Sequence, residues 1–186
     1  TENGDIFTNV EYFGFDYLEP LNSQHISGVA AFDLAFTSTN TLTLFSNSGV
    51  YVVTKKGETY ETVAEYYSSE FNSFECSDNG KYIVSLAKYG SANNYVIYQY
   101  SAKGKQKAEI SVSHPVKDVV MSDKYIFALA ENFILVYNLN GREISRIDIK
   151  GDARNIFATD KYIFINSLDK LSRCFAYGNS SIELSN

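Results

Sequence analysis

Acidic side chains and two histidines are the groups in this chain whose types and spacing could do chemistry. Asp123 and Asp160 stand in near-identical surroundings, Ser122-Asp123-Lys124-Tyr125-Ile126-Phe127 and Thr159-Asp160-Lys161-Tyr162-Ile163-Phe164. Two carboxylates brought to one site could serve a glycosidase, one as general acid and one as base or nucleophile. Their recurrence at one sequence position favours a different role, in turns where a short polar side chain hydrogen-bonds nearby backbone. Asp78-Asn79-Gly80 has the opening of a calcium loop, but no bidentate Glu follows at the required distance, and a hairpin turn is the expected form. His25 and His114 stand apart. A zinc site takes three or four ligands, usually at short spacing, and nothing gathers near either. His114-Pro115 is expected in an exposed connection. A Ser/His/Asp triad needs no closeness in sequence, yet no nucleophile-elbow motif supports one. No catalytic, cofactor-binding or metal-binding residue is assigned, no cofactor is expected, and the balance is against an enzyme.

The elements that must position these groups are strands. Runs of β-branched and aromatic residues are bounded by Asn, Asp, Ser, Gly and Lys throughout. One pattern recurs four times. A Gly ends a short polar turn at Gly57, Gly104, Gly141 and Gly178. Asn140-Gly141 and Lys103-Gly104 suit a turn that needs positive φ. The residue opening the second strand forms a column of Leu42, Tyr82, Tyr125 and Tyr162, preceded by turn residues Asn40, Asn79, Asp123 and Asp160. Third strands end at Val53, Tyr100, Tyr137 and Cys174, and an aliphatic follows each Gly at Val63, Ile110, Ile147 and Leu184. Each repeat thus reads as four strands, with the Gly between the third and fourth.

Third strands are apolar on both faces, as in Val50-Tyr51-Val52-Val53 and Ile134-Leu135-Val136-Tyr137. A sheet with one wet face alternates instead. Burial on both sides by neighbouring sheets, at a period near ~40 residues, predicts an all-β β-propeller rather than a sandwich or an up-and-down barrel. The expected blades are 32–71, 72–114, 115–152 and 153–186, preceded by a partial blade over 1–31 that supplies third and fourth strands, all in one domain. The chain is expected to be part of a larger ring, because a bare blade face of ~600 Å² forfeits up to ~15 kcal/mol at ~25 cal/mol/Å². A missing N-terminal half, self-association or another chain could cover such a face.

Composition narrows the partners. A net charge of −6 with 22 acidic and 16 basic residues argues against nucleic acid and against an anionic membrane surface. Neither a signal peptide nor an apolar run of about 18 residues is present in the sequence. Cys76 and Cys174 fall two blades apart on different strand types, beyond bridging distance, and read as small buried hydrophobes. Asn179-Ser180-Ser181 matches a glycosylation sequon by pattern alone. The chain has 15 Tyr and no Trp. Tyr51, Tyr98, Tyr100 and Tyr137 fall in strand columns and read as packing residues, whereas Tyr60, Tyr66, Tyr67 and Tyr89, near strand ends or loops, could offer a contact face.

The segments Ile110-Ser111-Val112-Ser113, Val116-Lys117-Asp118-Val119-Val120, Tyr125-Ile126-Phe127-Ala128-Leu129 and Val136-Tyr137-Asn138-Leu139-Asn140-Gly141-Arg142-Glu143 resemble a known group. They are similar to the second half of uncharacterised, membrane-anchored propeller proteins of Gram-positive bacteria, a family of unknown function, with Gly28–Asp152 matching best. The resemblance implies an extracytoplasmic propeller preceded, in the parent protein, by a short tail and one transmembrane helix. WD40 proteins would show Gly-His and Trp-Asp pairs, and quinoprotein-type repeats a blade-locking Trp; both are absent here, so the likeness to them is distant. The expected function is a non-enzymatic binding or scaffold module for a protein or cell-surface ligand. Two alternatives stand beside it: a polysaccharide hydrolase or lyase using carboxylates near the axis, and a structural fragment completing a propeller with another chain.

Overall fold

The computed structural model describes residues 5–13, 15–16, 18–38, 41–46, 49–54, 60–65, 69–77, 79–88, 94–168, 170–178 and 180–183. Among them there is no helix. The chain divides into two compact units, Thr1–Tyr67 and Ser68–Asn186.

In the first unit, β1 (Phe7–Tyr12) and β2 (Asn22–Ser27) form an antiparallel pair. A four-stranded antiparallel sheet comes next, ordered β3 (Ala31–Ser38), β4 (Thr41–Ser46), β5 (Gly49–Thr54) and β6 (Tyr60–Glu65). Thr8 fastens the connection: its Oγ1 donates to the Val29 carbonyl at 2.8 Å and accepts from the Ala31 N–H at 3.0 Å. Val10 and Ile26 of the pair pack with Leu42, Leu44, Tyr51 and Val53 of the sheet. On β3, Leu34 and Phe36 remain 55% and 66% exposed. The pair therefore covers the second and third strands of its neighbour and leaves the first bare. It behaves as the outer half of a blade.

In the second unit, β7 (Ser69–Cys76), β8 (Tyr82–Lys88), β9 (Tyr95–Tyr100) and β10 (Gln106–Val112) make one antiparallel blade. The next is β11 (Asp118–Met121), β12 (Tyr125–Leu129), β13 (Phe133–Asn138) and β14 (Glu143–Lys150). The last is a three-stranded sheet of β15 (Ala153–Ala158), β16 (Tyr162–Ser167) and β17 (Leu171–Phe175).

The double-faced apolar runs have a direct outcome. On β13, Leu135 and Tyr137 join Ile83, Ile97 and Ile110 of the preceding blade. Ile134 and Val136 join Ile156, Ile163 and Ile165 of the following one. Adjacent residues thus serve two different cores. Polar bonds cross the second seam as well. Asp118 Oδ2 accepts the Ile156 N–H at 2.9 Å, and Lys117 Nζ reaches Asp152 Oδ1 at 3.0 Å and the Ala153 carbonyl at 3.2 Å.

Gly104 and Gly141 take φ of 78° and 82° in the hairpins between third and fourth strands, the left-handed region that glycine occupies at little cost. Gly178 also has positive φ, 117°, but the chain beyond it departs from the expected hairpin. The strand after it, β18 (Ser180–Glu183), runs parallel to β14 rather than beside β17. The turn is held there because Ser145 Oγ of β14 donates to the Gly178 carbonyl at 3.0 Å. Among the described residues the blade expected over 153–186 accordingly holds three strands of its own, and Leu184 lies outside them.

Candidate functional site

Three turns join first to second strands in the second unit, and they come together at one cavity. Each begins with a hydroxyl residue. Ser122 Oγ accepts the Lys124 and Tyr125 N–H groups at 3.3 and 3.2 Å. Thr159 Oγ1 accepts those of Lys161 and Tyr162 at 3.3 and 3.0 Å. The β7–β8 turn is longer and recruits Asn79, whose Oδ1 accepts from Ser77 Oγ at 2.9 Å and from the Lys81 N–H at 3.3 Å. Hydroxyl-to-backbone bonds of this kind fix a turn with little freedom left to lose on ligand binding.

The carboxylates do something other than the expected local turn bonds. Asp160 reaches across the seam to the preceding blade's turn: its Oδ1 accepts the Lys124 N–H at 3.1 Å, and its Oδ2 lies 3.4 Å from Lys124 Nζ. Burial pushes this carboxyl up, but hydrogen bonds from Ser122 and Lys124 and the Lys124 charge outweigh it, holding Asp160 below its ordinary value. Asp123 Oδ1 is shut off from solvent with no hydrogen-bond partner among the described residues.

The cavity has a volume of about 340 Å³. Glu75, Ser77, Ser122, Asp123, Thr159 and Asp160 give it its polar lining, with Cys76, Met121 and Ala158, the last residues of β7, β11 and β15. Glu75 is the residue that sequence reading missed. Burial raises its carboxyl, the Cys76 N–H partly offsets this, and the Asp118 charge adds to the rise. The two lining carboxyls are therefore shifted in opposite directions, Glu75 upward and Asp160 downward. A signal for the site was present in the repeat: Ser122 and Thr159 precede their Asp at the same position in nearly verbatim segments.

The structure thus gathers Asp123 and Asp160, and keeps the histidines elsewhere. His25 Nδ1 lies 2.9 Å from Asn9 Oδ1 in the first unit. His114 is exposed, its ring edge-on to Phe133 at 4.9 Å. Among the described residues no group of His, Cys, Asp and Glu is arranged to hold a metal ion. Asp78, Asn179, Tyr66, Tyr67 and Tyr89 lie outside the described residues. Cys76 and Cys174 are not joined in a disulfide; burial, partly offset by the Ile163 N–H, pushes Cys174 to about 11. Tyr51, Tyr100 and Tyr137 are buried, and Tyr82 stacks on Tyr100 at 5.0 Å.

Antiparallel blades with apolar residues on both faces, their turns converging at a polar cavity, define the chain as part of a β-propeller. It belongs to a family of unknown function, DUF5711, whose family model matches residues 1–171. No curated protein matches it in sequence. Among solved structures it is similar to Hsv2 of Kluyveromyces lactis, at 13% identity and a TM-score of 0.57 over 86% of this chain and 53% of that one. The N-terminal domain of Nup159 matches at 9% identity and 0.57, over 90% of this chain and 50% of that one. Regucalcin from Agrobacterium tumefaciens, a calcium-binding protein, matches at 12% and 0.50, over 77% and 56%. At such identities the likeness establishes the fold alone. The chain spans about half the length of these solved structures.

Proposed function

We propose that the chain is a non-enzymatic binding and scaffold module of a larger propeller, presented on the extracytoplasmic side of a membrane. The parent protein is anchored by one N-terminal transmembrane helix, and the module recognises a protein or cell-surface ligand. The observation that carries this reading is the cavity at the three turns. Its Ser77, Ser122, Thr159 and Asp160 side chains are pre-set by hydrogen bonds to their own or a neighbouring turn, a geometry suited to hydroxyl- or amide-bearing ligands. A solved structure similar to this chain holds Dbp5 bound to Nup159, which supports protein recognition as one use of the fold. The extracytoplasmic location rests on the resemblance of the segments between Ile110 and Glu143 to membrane-anchored propellers.

The carboxyl groups of Glu75, Asp123 and Asp160 in one cavity lining favour a second reading, hydrolysis or lysis of a polysaccharide. One experiment separates the two. Soluble cell-wall polysaccharide fragments are titrated into labelled protein while reducing ends are assayed. Binding predicts shifts at the Ser77, Ser122 and Thr159 turns, at least a tenfold weakening in Glu75→Gln and Asp123→Asn, and no new reducing ends. Reducing ends that disappear in Glu75→Gln establish the hydrolase instead. A purified protein partner that leaves these turns unperturbed, together with inert fragments, overturns the cavity as the ligand site.

A further inference from the structure

The outer face of the last blade presents, at matched positions, apolar and polar groups comparable to those that bind one blade to the next, and its large apolar side chains are exposed. In the preceding blade the rows Val120–Phe127–Val136 and Leu129–Ile134 lie on the face that packs against β15–β17, and all five residues are buried. The matching rows in the last blade are Phe157–Phe164–Arg173 and Asn166–Leu171. There Phe157 is 56% exposed and Leu171 64%, with Phe175 beside them at 61%. Among the described residues β17 is paired on one side only, whereas its counterpart β13 is paired on both.

The polar groups repeat too. Asp118 accepts an N–H from the following blade's inner strand. Its counterpart Asn155 has an Oδ1 closed to solvent and, among the described residues, without a partner. Lys117 binds Asp152 at the start of the following blade; the counterpart is Arg154, exposed. Lys124 binds Asp160 in the following blade's turn; the counterpart is Lys161. Arg173 stands where the covered blade has Val136, its guanidinium 4.7 Å over the Tyr162 ring, with no carboxylate at ion-pair distance among the described residues.

We infer that this face is a blade seam whose occupant is a complete β-blade supplied by polypeptide outside residues 1–186. That blade offers an aliphatic inner face and carboxylates opposite Arg154, Lys161 and Arg173. The carboxylate at Arg173 is required because a guanidinium enclosed without a counter-charge strongly disfavours the contact. A second copy docking through its β1–β2 pair does not satisfy the face, since among the described residues that sheet has no inner strand or first turn of the kind the seam uses. The inference rests on the reading of the chain as part of a larger ring, and specifies which surface joins and with what chemistry.

Hydrogen exchange tests it, measured on residues 1–186 alone and on the product of the longest reading frame that contains them. Amides of Leu171–Phe175 should exchange at least 100-fold more slowly in the longer product. Phe157→Ser and Arg173→Glu should each return them to the fast rate there, while Arg173→Lys retains most of the protection. In residues 1–186 alone, Phe157→Ser should shift melting by no more than a degree or two. Equal β17 exchange in both proteins overturns the seam. If β3 around Leu34 and Phe36 gains protection while β17 does not, the larger ring stands and the seam assignment alone fails. If neither gains protection, or the frame adds no strands, both fail. Protection that instead grows with concentration in residues 1–186, with a sedimenting dimer, assigns the face to a second copy and overturns the inference.

Discussion

Gly141 offers the sharpest check on how neighbouring blades meet, because its hairpin lies against β10 of the preceding blade. Replacing it with Ala has two costs. The residue sits at φ +82°, where an L side chain loses roughly 1–2 kcal/mol. The new Cβ would also stand 3.1 Å from Ile110 Cγ1 and 3.3 Å from Ala108 Cβ, inside the ~3.5–4.0 Å that carbon pairs prefer. Ile110 is 3% exposed and Ala108 8%, so neither can swing into solvent, and overpacking of this kind costs about 1–3 kcal/mol. The expected loss is about 2–5 kcal/mol in the transition of the second unit, followed in urea by circular dichroism and tyrosine fluorescence. Gly28→Ala is the comparison. It has φ +76° but no atom within 4 Å of the added Cβ, so only the backbone cost of about 1–2 kcal/mol applies to the first unit. Ala108→Gly should recover about 1 kcal/mol in the Gly141→Ala background, read as a coupling in a double-mutant cycle. A Gly141→Ala loss no larger than that of Gly28→Ala, with no coupling to Ala108, refutes the close approach of the hairpin to β10.

Three further outcomes rest on the same packing. Asp118→Ala leaves the buried Ile156 N–H without its acceptor and should cost about 1–3 kcal/mol in urea unfolding, with Asp118→Asn retaining most of the stability; equal losses in both would point away from the seam bond. Burial raises the folded Glu75 carboxyl above its ordinary value near 4.5, so the folded state holds that proton longer than the unfolded chain does. Its contribution is fully present below the unfolded value and lost as pH rises through the folded one. Wild type should therefore lose stability relative to Glu75→Gln as pH increases from 4.5 to 7, and a pH-independent difference is the contrary result. Finally, Cys174, pushed to about 11, holds little thiolate at neutral pH. In a Cys76→Ser background it should react with an aromatic disulfide reagent about 100-fold more slowly than a free cysteine, and at the ordinary rate once unfolded.

What could be read from the sequence was whatever repeats. The Tyr82, Tyr125 and Tyr162 column, the Gly104 and Gly141 turns and the two-faced runs such as Ile134–Tyr137 each recur, so a single physical cause accounts for every copy. That cause is burial between neighbouring blades, and the two cores served by alternate residues of β13 are its direct expression. Asp123 and Asp160 were legible as turn residues for the same reason, but their partners were not. A carboxylate that bonds its own turn and one that reaches the neighbouring turn have the same local sequence; only the distance between blades, set by the apolar residues in the seam, selects Lys124 as the Asp160 partner. Glu75 was hidden because its counterparts on β11 and β15 are Val120 and Phe157, both apolar, so the column carries no polar signature. The course of β18 was hidden for a different reason. Its four residues pair with β14 in a parallel register that no repeat position announces, next to the Ser145 bond to the Gly178 carbonyl. Repetition therefore encodes the blades, while the contacts that tell one blade from another, Asp118 against Asn155 and Val136 against Arg173, are single substitutions within a column. Those positions, where the repeat breaks with itself, are where the identity of a neighbour is written.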